Sequence, residues 1–181
     1  TLLFLRPSCT PAMPDFLAEK KSRYEIWTIF GWPYETSATM ARMVFSGMMT
    51  KLPNLKVLTH HLGAMIPFFD ARMETGWATL GSRTSDEDYS QVLPSLGKPL
   101  MDCFRQFYGD TALCGSRAGT VCGIEFFGVD HVLFASDTPF GPEAGAGYVK
   151  SSIAVMESLD VSPGDREKLC YRNAQKLFGL N

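Results

Sequence analysis

An α/β fold built on parallel strands is the fold class that the sequence predicts, and three patterns predict it. Four short, almost unbroken apolar runs recur along the chain. Longer stretches with helical apolar spacing fill the intervals between them, and clusters of glycine, proline and polar residues separate the two kinds of segment. Continuous apolar runs suit strands covered on both faces, as parallel strands are, and strand–helix alternation implies βαβ units with right-handed crossovers.

The apolar runs are Leu2–Leu5, Lys56–His61, Phe107–Leu113 (the weakest) and His131–Asp137. After the first run, Thr36 or Ser37 can cap a helix reaching about Phe45, with Ala38, Ala41, Val44, Phe45 and Met48 on one face. A second helix is expected over Met65–Glu74, and a third over Arg117–Phe127, stopped by Gly128. A fourth is expected over Tyr148–Leu159. Ser162 followed by Pro163 reads as an N-cap with proline in the first turn, and Asp165 and Glu167 favour the positive end of the last helix. Gly81–Pro99 and Thr138–Gly147 read as loops. One domain over 1–181 accommodates all of this.

Composition narrows the function classes. The 181 residues are 45% hydrophobic and 20% charged, with a net charge of -2, which fits a soluble domain and excludes a disordered or collagen-like chain. Nothing basic argues for nucleic acid, and no apolar run approaches the roughly 20 residues needed to span a bilayer. Five cysteines at wide spacings, with no Cys-x-x-Cys, point to reduced thiols and a cytoplasmic protein rather than a disulfide framework. The opening Thr1–Leu5 lacks an initiator Met and a basic leader, and reads as a buried strand entered mid-stream, so the sequence is expected to be part of a longer chain.

In α/β folds the reactive groups collect at the carboxyl ends of parallel strands. Arg6 ends the first run, His60 and His61 the second, and Asp137 the fourth. Alternation places Val57, Thr59 and His61 on one face of the second strand and Leu58 and His60 on the other; on the fourth, Leu133, Ala135 and Asp137 share a face. Small Thr59 and Ala135 suit a crowded inward face and bulky Leu58 and Phe134 an outer one. His61 and Asp137 are therefore expected to share a pocket, with His60 turned away. Imidazole and carboxylate can hold a divalent metal, and an imidazole off the metal can move protons near neutral pH. The residues alone leave a second reading open, in which both histidines are hydrogen-bonded core residues and Asp137 caps a turn before Pro139.

Three segments resemble the amidohydrolase-related family. Pro53–Ala64 (PNLKVLTHHLGA) is similar to its sixth-strand motif, His131–Phe140 (HVLFASDTPF) to its eighth-strand motif ending Ser-Asp-x-Pro, and Arg172–Phe178 (RNAQKLF) to its closing helix; Trp32–Thr36 fits a helix-opening segment. The resemblance spans nearly the whole chain and lies nearest the branch of aminocarboxymuconate-semialdehyde decarboxylase and aromatic-acid decarboxylases. It implies a TIM-barrel fold, of which this chain is the C-terminal half, strands 5–8. It also implies a divalent metal, zinc foremost, with Asp137 as a ligand and His61 as an acid/base or further ligand. The implied reaction is non-oxidative decarboxylation of a small unsaturated or aromatic carboxylic acid; hydrolysis of an ester, lactone or amide uses the same parts, and an inactive assembling remnant is a third possibility.

Two departures shape these expectations. The family's first-strand His-x-His has no counterpart, the only histidines being His60, His61 and His131. Arg6 occupies the fifth-strand position where the family commonly has a ligand His, and a guanidinium offers no lone pair to a metal. Arg6 can instead grip a substrate carboxylate, or face solvent or pin a loop, and Trp32 and Phe140 are candidate contacts to an apolar or aromatic ring, with buried packing as the alternative. Asp110 is a further candidate for the pocket wall, and His131, at the amino end of its strand, is expected to be structural. Four strands leave two open edges, so the partner is expected to be a second copy or the missing amino-terminal half.

Overall fold

A computed structural model describes residues 1–84 and 86–180. Four strands, β1 (Leu2–Leu5), β2 (Lys56–Thr59), β3 (Tyr108–Asp110) and β4 (Val132–Leu133), form one sheet in the order β1-β2-β3-β4. Every pairing is parallel, with Phe4 opposite Leu58, Leu58 opposite Tyr108, and Asp110 opposite Leu133. The sequential order follows from one crossover per strand pair, which moves the chain one place along the sheet each time.

The helices lie where the apolar spacing puts them, with shifted ends. Helix α1 (Trp32–Phe45) opens four residues before the expected cap. Pro33 fits the first turn of a helix, and the Ser37 hydroxyl donates back to the Pro33 carbonyl instead of capping. Helix α2 (Asp70–Trp77) starts later than Met65 because a 3-10 turn, Pro67–Phe69, precedes it. Helix α3 (Arg117–Phe127) has the expected bounds: Ser116 Oγ accepts from the Gly119 amide, and Gly128 leaves the helix at φ 77°. Helix α4 (Ala146–Ser158) starts two residues early. The last helical stretch comprises α5 (Pro163–Glu167), a π turn, and α6 (Asn173–Phe178), with Ser162 as the cap of α5. Within the expected Gly81–Pro99 loop, Val92–Ser95 makes one helical turn; Ser85 lies outside the described residues.

The core fills the space between the sheet and these helices. Met40 and Val44 of α1, Val57 of β2, Leu62, Phe104, Phe107, Phe126 and Phe127 of α3, Val132 and Leu169 are all buried there. Asn173 ties the closing helix to β4, its amide donating to the carbonyls of Val129 and Val132 at 2.6 and 2.8 Å. Strands β3 and β4 are shorter than their apolar runs, yet the chains stay side by side beyond them. The Thr111 hydroxyl takes over the ladder, donating to the Ala135 carbonyl at 3.1 Å and accepting from the Ala135 amide at 2.9 Å. That carries the chain in register to Asp137.

Close packing behind β2 is checked by one residue. Gly63 lies at φ 71°, and a Cβ there would stand 2.7 Å from Phe127 Cζ. Gly97 shares a left-handed φ of 70° but faces open space. Gly63→Ala should cost about 1–3 kcal/mol from overpacking on top of the backbone cost of about 1–2 kcal/mol that Gly97→Ala carries alone. Urea unfolding of the two variants measures the difference, and equal midpoints would contradict this packing.

Candidate active site at the carboxyl ends of the strands

The parallel register brings one side chain from each strand end to the same face. Phe4, Arg6, Leu58, His60, Asp110, Ala112, Ala135, Asp137 and Phe140 line a cleft of about 500 Å³. Arg6 leaves the end of β1, and the segment after it is pinned by Glu35 of α1, whose carboxylate accepts from the Ser8 amide at 2.7 Å, the Ser8 hydroxyl at 2.8 Å and the Cys9 amide at 2.6 Å. Burial acts to raise the Glu35 pKa, but these bonds to Ser8 and Cys9 outweigh it and hold the carboxyl below its ordinary value.

His60 sits at the centre of this face. Its Nδ1 lies 2.9 Å from Asp110 Oδ2 and its Nε2 3.2 Å from Asp137 Oδ1. Burial pushes the imidazole pKa down, yet the hydrogen bond to Asp110 and the charges of Asp110 and Asp137 outweigh it, leaving the group above its ordinary value. His61 is adjacent, the two rings 3.7 Å apart between centroids. Its Nδ1 donates to the Ala112 carbonyl, which leaves Nε2 with a lone pair. Burial, and then the neighbouring His60, lower its pKa and so favour the neutral ring.

The strand-face assignment made from alternation is inverted for β2. His60 and Leu58 face the cleft, while Val57 packs into the helix-side core and the Thr59 hydroxyl donates to the Tyr108 carbonyl at 3.1 Å. Bulk was a poor guide because barrel interiors take large branched side chains as readily as small ones. His61 nonetheless reaches Asp137, for a reason alternation cannot anticipate. Strand β2 stops at Thr59, and the chain turns through His61 and Leu62 at φ 50° in both. That left-handed turn swings His61 back beside His60 and within 4.8 Å of Asp137, although, against expectation, its ring lines a neighbouring pocket with Leu62, Pro67 and Phe68 and not the cleft. On the fourth run Ala135 and Asp137 line the cleft as expected, but so does Ser136, because regular strand ends at Leu133 and alternation no longer sorts the faces beyond it.

Other candidates sort cleanly. Arg6 and Phe140 line the cleft, Phe140 being 57% exposed at its mouth. Trp32 does not: its indole Nε1 donates to the Cys9 carbonyl at 2.9 Å and its ring meets Trp27 edge-on, so it braces the start of α1. His131 lies at the opposite end of its strand, paired with the Arg105 carbonyl at 2.7 Å and packed on Tyr108. Asp110, a weak candidate in the sequence, is buried in the cleft wall.

His60, His61 and Asp137 each offer one ligand atom, all within 4.8 Å of one another. Two imidazole nitrogens and a carboxylate oxygen form a donor set that suits a borderline divalent cation such as zinc or manganese, and the hydrogen bond at His61 Nδ1 leaves the unprotonated nitrogen that a metal requires. The residues present fit such an ion. All five cysteines are free, and no helix among the described residues is long and apolar enough to cross a membrane.

Comparison with known proteins adds a frame. Residues 9–180 match the profile of the amidohydrolase family. The 2-amino-3-carboxymuconate-6-semialdehyde decarboxylase of Dictyostelium discoideum is 36% identical over 163 residues, 90% of this chain and 42% of that protein. A gamma-resorcylate decarboxylase of Polaromonas sp. is 28% identical over 81% of this chain and 41% of its own length. Among solved structures, 5-carboxyvanillate decarboxylase from Novosphingobium aromaticivorans, complexed with manganese and 4-hydroxy-3-methoxy-5-nitrobenzoic acid, aligns with a TM-score of 0.74 at 22% identity over 98% of this chain and 47% of that one. The chain thus spans under half the length of these curated relatives, and its four βα units share the TIM-barrel fold of such structures.

The electrostatics give a direct check. In the metal-free protein, ¹H–¹⁵N titration should find the His60 midpoint above, and the His61 midpoint below, the usual value of about 6.5. Asp137→Asn removes a negative charge 3.2 Å from His60 Nε2 and should bring the His60 midpoint down. A rise would contradict the geometry.

Proposed function

Because the chain belongs to the amidohydrolase family, we propose that it forms the carboxyl-terminal half of a metal-dependent barrel that decarboxylates a small unsaturated or aromatic carboxylic acid. The observation that carries the reading is the cleft itself: it is lined by the Arg6 guanidinium, the exposed rings of Phe4 and Phe140, and His60 and Asp137, with His61 close enough to complete an imidazole–carboxylate cluster for one ion. The chain's resemblance to a gamma-resorcylate decarboxylase and to a 2-amino-3-carboxymuconate-6-semialdehyde decarboxylase supports the same chemistry.

Asp137 and His61 are the residues that would hold the cation, zinc or manganese, since the neutral His61 ring has a free Nε2 and Asp137 stands beside it. Bound there, the ion would supply Lewis-acid stabilisation of negative charge on the substrate. Arg6 pairs with the carboxylate of the incoming acid and orients it. Phe140 and Phe4 cover the ring. As the carbon–carbon bond to the carboxylate breaks, carbon dioxide leaves and the electron pair remains on the ring carbon. A proton must then reach that carbon. The resemblance gives this task to His61, but the imidazole that shares the cleft with Arg6 and Phe140 is His60, so we place the transferable proton on Nε2 of the doubly protonated His60 ring, which keeps its Nδ1 hydrogen on Asp110 after the transfer.

Sheet geometry bears on assembly. β1 and β4 are the edges of the sheet among the described residues, and Leu3 and Phe4 of β1 are 43% and 61% exposed. We place the protein in the reducing cytoplasm, as its free thiols suggest, bound either to the complementary half of the barrel or to a second copy. Gel filtration of the chain expressed alone should give at least twice the monomer mass; a single-chain mass with a cooperative melt would oppose this.

Activity is tested with manganese or zinc and a panel of hydroxybenzoic acids, following carbon dioxide release, on the chain as expressed and on the full-length protein. Asp137→Ala and His60→Gln should each remove turnover by at least about 100-fold, whereas Arg6→Ala should mainly raise KM. Stoichiometric metal binding with no turnover on any of these acids would defeat the decarboxylase reading. Absence of metal binding would favour an inactive assembling remnant.

A further inference from the structure

We propose that Asp110 is a positioning residue, whose carboxylate holds His60 in a single tautomer with Nδ1 protonated and Nε2 directed at Asp137 and the cleft. Its importance for catalysis rests on the function proposed above, while the positioning itself stands on the geometry alone.

Asp110 accepts three hydrogen bonds, and their division between its two oxygens is the key. Oδ1 takes the backbone amides of His61 at 3.0 Å and Ala112 at 3.1 Å. Oδ2 is left to His60 Nδ1 at 2.9 Å. Two backbone donors from different segments fix the plane of the carboxyl group, so it cannot rotate to offer the ring its other oxygen. Both ring nitrogens face a carboxylate, which only accepts, but the contact to Asp110 alone has hydrogen-bond geometry, so in the neutral ring Nδ1 carries the hydrogen. In the neutral imidazole that leaves Nε2 unprotonated and aimed 3.2 Å from Asp137 Oδ1. The group is buried at 9% exposure, where a charge-assisted bond is stronger than in water.

The same carboxylate solves a backbone problem. β2 ends at Thr59, and the left-handed turn at His61 takes that residue's amide out of the strand ladder. Asp110, one strand over, supplies the acceptor. The turn that brings both histidines into the site and the bond that orients His60 thus depend on one side chain, at the end of β3.

Asp110→Asn tests this without changing the shape. The two backbone amides should hold the new amide's oxygen, which turns its NH₂ toward His60 Nδ1. A donor there requires Nδ1 to accept, and the ring proton should move to Nε2. Long-range ¹H–¹⁵N spectra of the metal-free chain, recorded alkaline to the His60 titration and assigned with His60→Gln, distinguish the two tautomers. The expected result is the Nδ1–H form in the unmutated chain and the Nε2–H form in Asp110→Asn. An Nε2–H form in the unmutated chain, a measurement that needs no variant to fold, would overturn the proposal, as would a tautomer unmoved by the substitution. In an active protein, Asp110→Asn should lower kcat by about 10–100-fold with little change in KM, and Asp110→Glu should restore part of it. If the tautomer moves as expected but no carboxylic acid is turned over, the decarboxylase reading fails and the positioning role stands.

Discussion

The site depends on parallel register. Four strands run the same way and step one place along the sheet at each crossover, so their carboxyl ends meet at one end of the sheet. Arg6, His60 and Asp110 come from segments far apart in sequence, yet each follows or ends its strand at the same level, and Asp137 reaches them from the segment four residues past the end of β4. A hydrogen bond from His60 to Asp110 ties the ends of β2 and β3, and Asp137 stands 3.2 Å from the other nitrogen of the same ring. No loop has to fold over to build this cluster, and its accuracy comes from the sheet.

Where the regular ladder stops, side chains continue it. Thr111 bridges to both backbone groups of Ala135, Thr59 reaches the Tyr108 carbonyl, and Asp110 accepts the amide that the turn at His61 releases. Buried backbone groups beyond a strand end need partners, and short polar side chains are the economical source. Here those partners also shape the cleft. The two histidines consequently have opposite electrostatic fates although they are neighbours in sequence: His60 is flanked by two carboxylates, while His61 is buried against a carbonyl and another imidazole.

Much of this was legible beforehand because periodicity is a local property. The apolar runs, the Ser116 and Ser162 caps, the Gly128 stop and the strand-end placement of Arg6, His60, His61 and Asp137 all follow from residues within a few positions of one another. The resemblance carried by Pro53–Ala64 and His131–Phe140 pointed to the family that the whole-chain comparison shows. Trp32 lies outside the cleft, and nothing local distinguishes an aromatic that lines a cleft from one whose indole is taken by a distant carbonyl.

By itself, then, the sequence determined the α/β class, the order of elements and the residue types available for chemistry, because helix and strand preferences act over short distances. Only the tertiary structure decided which histidine faces the cleft, that Asp110 belongs to the site, and that Arg6 shares a cavity with Asp137. Those outcomes turn on where β2 ends and on hydrogen bonds between residues some fifty positions apart, such as His60 with Asp110, and no local pattern encodes such a meeting.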